Sequence, residues 1–132
     1  SRIMLAIKTV LAGRDEIDTL IFDEIDTGIS GRTAWKVAEQ LSVLSGAHQV
    51  ICITHLPQIA AMADTHFSVE KGERDGRTYT RVVLLDREQR KAELARITGG
   101  SHVTEALLAS AGELLDQAER YRSELGMRNH AE

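Results

Sequence analysis

Thr19-Leu-Ile-Phe-Asp-Glu-Ile-Asp-Thr-Gly-Ile-Ser-Gly31 is the stretch that decides the fold of this chain. It begins with an apolar run and changes abruptly to carboxylates at Asp23, Glu24 and Asp26. An apolar run of this length, bounded by turn residues, predicts a buried strand of a parallel sheet over about residues 18–22. Because open α/β sheets bind ligands at the carboxyl ends of their strands, we expect the carboxylates at the edge of the sheet where chemistry takes place.

The segments that follow predict a parallel β-α-β unit. Residues 31–44 carry apolar side chains at helical spacing, which predicts a helix that packs on the sheet. The apolar run at 49–54 predicts a second buried strand. A right-handed unit of this kind places the ends of its two strands side by side. Thr54 and His55 are therefore expected near the acidic residues that end the first strand.

The rest of the chain predicts a short helix, a hairpin and further helices. Pro57 suits the first turn of a helix that reaches about Ala63. Residues 66–71 and 77–85 flank a glycine-containing turn and predict a β-hairpin, interpreted as an antiparallel edge of the same sheet. Apolar residues at helical spacing predict further helices at 3–11, 88–97 and about 104–121. The last residues, 126–132, are predicted to be a disordered tail.

Composition limits the class of protein. The chain has 132 residues, enough for a single domain with a buried core, and its content of 27% charged and 42% apolar residues is ordinary for a globular domain. No apolar run approaches the roughly 18 residues that span a bilayer, so no membrane partner is predicted. Cys52 is the single cysteine and is expected to be a buried core thiol. A net charge of −4 argues against a main DNA-binding surface.

Two motifs carry a resemblance to a known family. Residues 22–31, Phe-Asp-Glu-Ile-Asp-Thr-Gly-Ile-Ser-Gly, and residues 53–60, Ile-Thr-His-Leu-Pro-Gln-Ile-Ala, are similar to the RecN family of bacterial DNA-repair ATPases, relatives of SMC proteins. The resemblance covers nearly all of the chain. It implies an α/β fold, the carboxyl-terminal lobe of an ABC/SMC-type P-loop ATPase head, as one domain over residues 1–132. The chain would open on the last two residues of the family's signature motif.

The resemblance also implies a role for each candidate residue. Asp23 would hold Mg²⁺ through bound water, and Glu24 would orient or deprotonate the attacking water. His55 would sense the γ-phosphate. Asp26 would act in the loop that joins two heads, and Thr54 would lie in the nucleotide site. ATP and Mg²⁺ are thus the implied cofactors of the complete head.

The resemblance further implies the partners and the cellular role. The chain has no G-x-x-x-x-G-K-[ST] motif to cradle phosphates, so alone it is expected neither to bind ATP tightly nor to hydrolyse it. The implied partners are its own amino-terminal P-loop half, a second head in a homodimer, and DNA through the full-length protein. The implied function is recombinational repair of DNA double-strand breaks in the bacterial cytoplasm, at the nucleoid.

Other interpretations of the acidic stretch remain open. Acidic residues also end strands simply as helix caps or solvated side chains, which would suit a non-catalytic interaction domain. An ABC/SMC-type head of another system is possible within the same fold. A phosphoacceptor receiver module also uses carboxylates at strand ends, but it needs an acidic pair after its first strand and an acceptor after its third, and this chain has no second acidic strand end.

Overall fold

The computed structural model describes residues 19–23 and 28–131. The helix predicted at 3–11 lies outside the described residues. The helices and strands, in chain order, are β1 (Thr19–Asp23), α1 (Gly31–Leu44), β2 (Gln49–Ile53), α2 (Pro57–Met62), β3 (Phe67–Arg74), β4 (Arg77–Leu84), α3 (Arg87–Gly99) and α4 (Glu105–Ala131).

Strands β1 and β2 form a two-stranded parallel sheet, connected by α1. The pairing runs in register from Thr19 opposite Gln49 to Asp23 opposite Ile53, so both strands end at the same level. A parallel pair needs a crossover connection, and α1 supplies it. The predicted β-α-β unit is therefore present with the expected order.

Among the described residues, only one face of this sheet is covered. Leu20 and Phe22 on β1 are buried, whereas Ile21 between them is 60% exposed. On β2, Ile51 is 44% exposed and Ile53 is also exposed. The strands predicted to be buried are covered on one face only by the described residues, because successive strand residues point to opposite faces and the core lies against one of them.

The core lies between the covered face of the sheet and the helices. Helix α1 contributes a stripe of buried residues at helical spacing, and α2, α3 and α4 close the core from the other side. Leu94 on α3 is the largest side chain that is fully buried among the described residues. The buried apolar members are Leu20, Phe22, Val37, Ala38, Leu41, Leu44, Ile59, Ala60, Ala61, Met62, Leu94, Ala95, Ala111, Leu115 and Ala118.

The β3–β4 hairpin forms a sheet of its own. Its two-residue turn is Asp75-Gly76, and both residues have positive φ (53° and 75°), the backbone of the tight turns that suit the twist of a hairpin. Gly72 faces Tyr79 across the strands, and a Cβ atom at Gly72 would clash with the tyrosine ring. Within the described ranges no strand pairing joins the hairpin to β1 or β2, which differs from the antiparallel edge expected from sequence.

The last two helices begin with side-chain caps. The Asp86 carboxylate accepts a hydrogen bond from Gln89 N, and the Gln89 side chain accepts one from Asp86 N, which completes a capping box for α3. Thr104 Oγ1 accepts a hydrogen bond from Leu107 N at the start of α4. Helix α4 continues to Ala131, past the predicted end at Tyr121. Disorder of the tail at 126–132 stays a prediction.

We expect the core to be sensitive at Leu94. Leu94→Ala removes a fully buried side chain and should lower the free energy of unfolding by about 2–5 kcal/mol. Leu84→Ala is the matched control, because Leu84 is 60% exposed and the same change there should cost far less in this chain. Urea unfolding of both variants measures the difference. Equal losses at the two positions would contradict the described core.

Candidate functional site

The candidate site is the edge of the sheet where β1 and β2 end. Asp23 is the last residue of β1 and pairs with Ile53, the last residue of β2. Thr54 and His55 follow Ile53 directly in the chain, so they lie at the same edge as the Asp23 carboxylate. Asp23 and His55 are exposed and Thr54 is half-buried. The register therefore brings together three of the five residues singled out from the sequence.

The other two residues cannot be placed. Glu24 and Asp26 lie outside the described residues, and their predicted roles are not tested by the geometry. The described chain resumes at Gly28, whose positive φ of 77° is a conformation that favours glycine. Ser30 then caps α1, where its hydroxyl oxygen accepts a hydrogen bond from Thr33 N at 3.4 Å. A serine, not an acidic residue, is thus the cap of this helix.

Thr54 has a structural contact that sequence reasoning did not find. Its Oγ1 accepts a hydrogen bond from Leu56 N at 3.1 Å, which folds the backbone over His55 into a compact turn. Leu56 is the cap residue of α2 and has no side-chain capping bond, and Pro57 occupies the first turn as expected. The hydroxyl of Thr54 therefore helps to shape the loop that presents His55.

The far end of α2 is held by two arginines that the sequence did not single out. Arg90 from α3 and Arg122 from α4 both donate hydrogen bonds to main-chain carbonyls at the carboxyl end of α2. No motif or spacing predicts these contacts, because the bonded residues are 27 to 61 positions apart in the chain. The only sequence signal is that α2 has no basic residue in its own last turn.

Charges around these arginines are partly balanced. Burial lowers the pKa of Arg90, and the neighbouring cations Arg122 and Arg87 lower it further, while Asp64 and Glu119 oppose them. Arg90 nonetheless remains a cation, because an arginine guanidinium keeps its charge in proteins. Asp64 also lies 3.4 Å from Arg122 Nε, but with a largely exposed side chain, so this ion pair contributes little stability.

The donor atoms fit part of a Mg²⁺–nucleotide site. Mg²⁺ prefers oxygen ligands and usually keeps several waters, so a single exposed carboxylate such as Asp23 suits a water-mediated contact. In the part of the chain that the structure describes, no group of three or more histidine, cysteine, aspartate or glutamate side chains can hold a metal by itself. A complete site thus needs groups beyond the described residues.

Comparison with solved structures defines the class of protein. A structure described as concerning ATP-driven dimerisation and DNA-stimulated activation of SMC ATPases matches with a TM-score of 0.61 and 26% sequence identity. The match covers 75% of this chain and 59% of that chain. The fold is that of part of an SMC-type ATPase head, with a small parallel sheet, an antiparallel hairpin and carboxyl-terminal helices, so the predicted fold class is confirmed.

Sequence relatives then define the particular family. The chain is homologous to the carboxyl-terminal part of DNA repair protein RecN. It is 47% identical to RecN of Bacillus subtilis (strain 168) over 123 residues, which is 93% of this chain. It is 50% identical to RecN of Treponema pallidum (strain Nichols) over 122 residues, or 92% of the chain. The chain spans 21% of the length of each of these relatives, and no family model matches it.

Among the helices of the described ranges, none is both long and apolar enough to cross a membrane.

We expect His66, beside Arg90, to make stability depend on pH. Burial lowers the pKa of His66, the Arg90 charge lowers it further, and Glu93 opposes both. The folded chain therefore binds this proton only at a lower pH than the unfolded chain, whose histidine titrates at about pH 6.5, so stability should fall as pH drops below about 7.

His66→Gln removes this titration and should flatten the loss of stability between about pH 7.5 and 5.5. Urea unfolding at both pH values measures the slope for each variant. His102→Gln is the control, since His102 is an exposed histidine in the loop before α4. An unchanged slope in His66→Gln would show that His66 is not responsible.

Proposed function

We propose that this chain is the carboxyl-terminal lobe of a RecN-like ATPase head that acts in the repair of DNA double-strand breaks. The observation that carries the proposal is the pairing of Asp23 with Ile53, which ends both strands at one level and gives the Asp23 carboxylate and the Thr54-His55 segment a common edge. The likeness to an SMC ATPase head and the homology to RecN support the same function.

In this proposal each residue of the edge has its own task. Asp23 would hold Mg²⁺ through bound water, Glu24 would orient or deprotonate the attacking water, and His55 would donate a hydrogen bond to the γ-phosphate. Bound Mg²⁺–ATP supplies the phosphoryl group and neutralises its charge, so the protein has mainly to position the reactants. Asp26 and Thr54 complete the nucleotide site, Asp26 from the loop that meets a second head.

The capping of α1 favours this proposal over an interaction domain with a merely structural acidic stretch. If the carboxylates served only to cap the helix after β1, one of them should accept the hydrogen bond from its first turn. Ser30 accepts that bond instead, and the first turn of α1 holds no acidic residue. An exposed carboxylate at the end of β1 is then available for a ligand.

The uncovered face of the sheet supports a partner for this lobe. Ile21, Ile51 and Ile53 are all exposed on the strands that carry the candidate site. An apolar sheet face of this kind is a docking surface. We assign it to the amino-terminal P-loop half of the same protein, which would supply the phosphate cradle that this sequence lacks. A second head and DNA are the further partners, reached through the full-length protein.

Substitutions at the acidic pair test the proposed function in the full-length protein. Asp23→Asn should weaken Mg²⁺-dependent nucleotide binding itself. Glu24→Gln should keep binding and lower hydrolysis by roughly 10²–10⁴-fold, the usual contribution of a general base. Nucleotide titrations and phosphate release measure the two effects.

Asp75→Asn is the matched control for this pair. It also removes one carboxylate, but at the exposed turn of the hairpin, where asparagine tolerates the positive φ of 53°. Its binding and hydrolysis should equal those of the unmodified protein. Normal hydrolysis by Glu24→Gln would contradict the role of Glu24 as the base, and a complete lack of Mg²⁺-dependent nucleotide binding by the unmodified protein would favour an interaction domain.

A charged substitution tests the docking face. Ile51→Glu should abolish association of this chain with a separately produced amino-terminal half, because a carboxylate buried in an apolar contact is strongly unfavourable. Val43→Glu is the control, since Val43 on α1 is 46% exposed, close to the 44% of Ile51, but lies on another surface. Co-purification and ATP turnover of the mixture give the readout. If Ile51→Glu still associates fully, the amino-terminal half docks on another surface of this chain.

A further inference from the structure

The carboxyl end of α2 is built almost entirely by contacts from other helices. Helix α2 spans only Pro57–Met62, and isolated helices shorter than roughly 12–15 residues are marginal in water. The last four carbonyl groups of any helix have no intrahelical partner, and here the cap residue Ala63 donates its N–H to Ala60 O. The orientation of α2 must therefore be fixed from outside.

Arg90 and Arg122 provide that external support. Arg90 Nη2 donates to the carbonyl oxygens of Ala60, Ala61 and Ala63 at 3.0, 3.3 and 2.9 Å. Arg122 Nη1 donates to the oxygens of Ala61 and Met62 at 3.3 and 3.0 Å. Two guanidinium groups from two helices thus account for the carbonyls of the final turn.

The position of these cations is electrostatically favourable for the helix. The carboxyl end of a helix carries partial negative charge, which attracts positive side chains. The same arrangement brings two like charges together, and the Arg122 charge lowers the pKa of Arg90. The chain tolerates this repulsion at a helix that carries no basic residue of its own in its last turn. The end of α2 is therefore held by several hydrogen bonds from two cations and not by a single surface contact.

The other end of α2 adjoins the candidate site. Only Thr54, His55 and Leu56 separate the end of β2 from the start of α2. Strand β2 is fixed by its pairing with β1, and the Thr54 hydroxyl holds the turn in between. At a rise of about 1.5 Å per residue, α2 is only about 9 Å long. A tilt at its carboxyl end would therefore change the orientation of the loop that carries His55.

We propose that Arg90 and Arg122 are positioning residues for His55: by fixing the carboxyl end of α2 they set the orientation of the loop at its amino end. The inference rests on the proposed function, in which His55 contacts the γ-phosphate. Neither arginine touches the nucleotide in this arrangement. They act through α2, so their loss should change the chemical step and leave nucleotide binding intact.

The test uses the full-length protein with Arg122→Met, Arg90→Met and His55→Ala, alone and in pairs. Each arginine variant should lower kcat about tenfold per folded molecule with an unchanged KM for ATP, since small misplacements of a reacting group are costly. Each arginine variant combined with His55→Ala should be no slower than His55→Ala alone, because both changes remove the same contribution. Thermal melts and active-site titration correct for any unfolded fraction.

Arg87→Met is the matched control. Arg87 lies on α3 beside Arg90, but it pairs with Asp116 and Glu119 on α4, and the described contacts link it to no residue of α2. Its loss breaks ion pairs between α3 and α4 but leaves the hydrogen bonds of Arg90 and Arg122 to the end of α2 in place, so kcat should stay unchanged. If Arg90→Met or Arg122→Met does not fold, Arg90→Lys or Arg122→Lys replaces it, since lysine retains the charge and offers fewer aligned donors.

The outcomes separate this inference from the proposed function. Normal kcat in the arginine variants, with His55→Ala slow, overturns the positioning role and leaves the function standing. Losses that multiply when His55→Ala is added also overturn it, because the arginines would then act independently of His55. Normal turnover of His55→Ala itself would overturn both the inference and the proposed role of His55.

Discussion

The parallel pairing of β1 with β2 is the interaction on which the rest of the structure depends. It fixes where both strands end, and this determines the positions of all candidate groups among the described residues. A shift of the pairing by one residue would turn Leu20 and Phe22 away from the core, since side chains alternate between faces. Burial of these two side chains therefore stabilises the register, and the register determines the position of the edge that carries Asp23 and His55.

Local sequence patterns were sufficient for most elements of the fold. Helix α1 has the bounds that its apolar spacing and flanking glycine indicate, and the strands differ from expectation by a few residues at their ends. The sequence pattern and the structure differ at the run of residues 19–22, where the pattern predicts a buried strand and one face is exposed. Such a run does not tell whether both faces of a strand are covered, because that depends on chain segments elsewhere. The hairpin's separate sheet has the same cause, as strand pairing is non-local.

The candidate site also has a part that the sequence predicts and a part that it does not. Asp23, Thr54 and His55 could be grouped from the order of a β-α-β unit alone, because that order has a single favoured hand. The arginine contacts to α2 could not be grouped this way, since Arg90 and Arg122 come from helices whose packing is set by the whole core. Local sequence reports what a segment prefers, whereas a short helix such as α2 is shaped by what surrounds it.

The uncovered isoleucine face has a consequence for how such a protein is made. In RecN the matching segment is carboxyl-terminal, so the ribosome would release it last, after any amino-terminal half has emerged. Domains fold in order of synthesis, and exposed apolar surface on incomplete chains invites aggregation. If the amino-terminal half docks on Ile21, Ile51 and Ile53 as proposed, these exposed side chains are safest when that half has already been made. The order of the two halves along the chain would then protect the protein during its own synthesis.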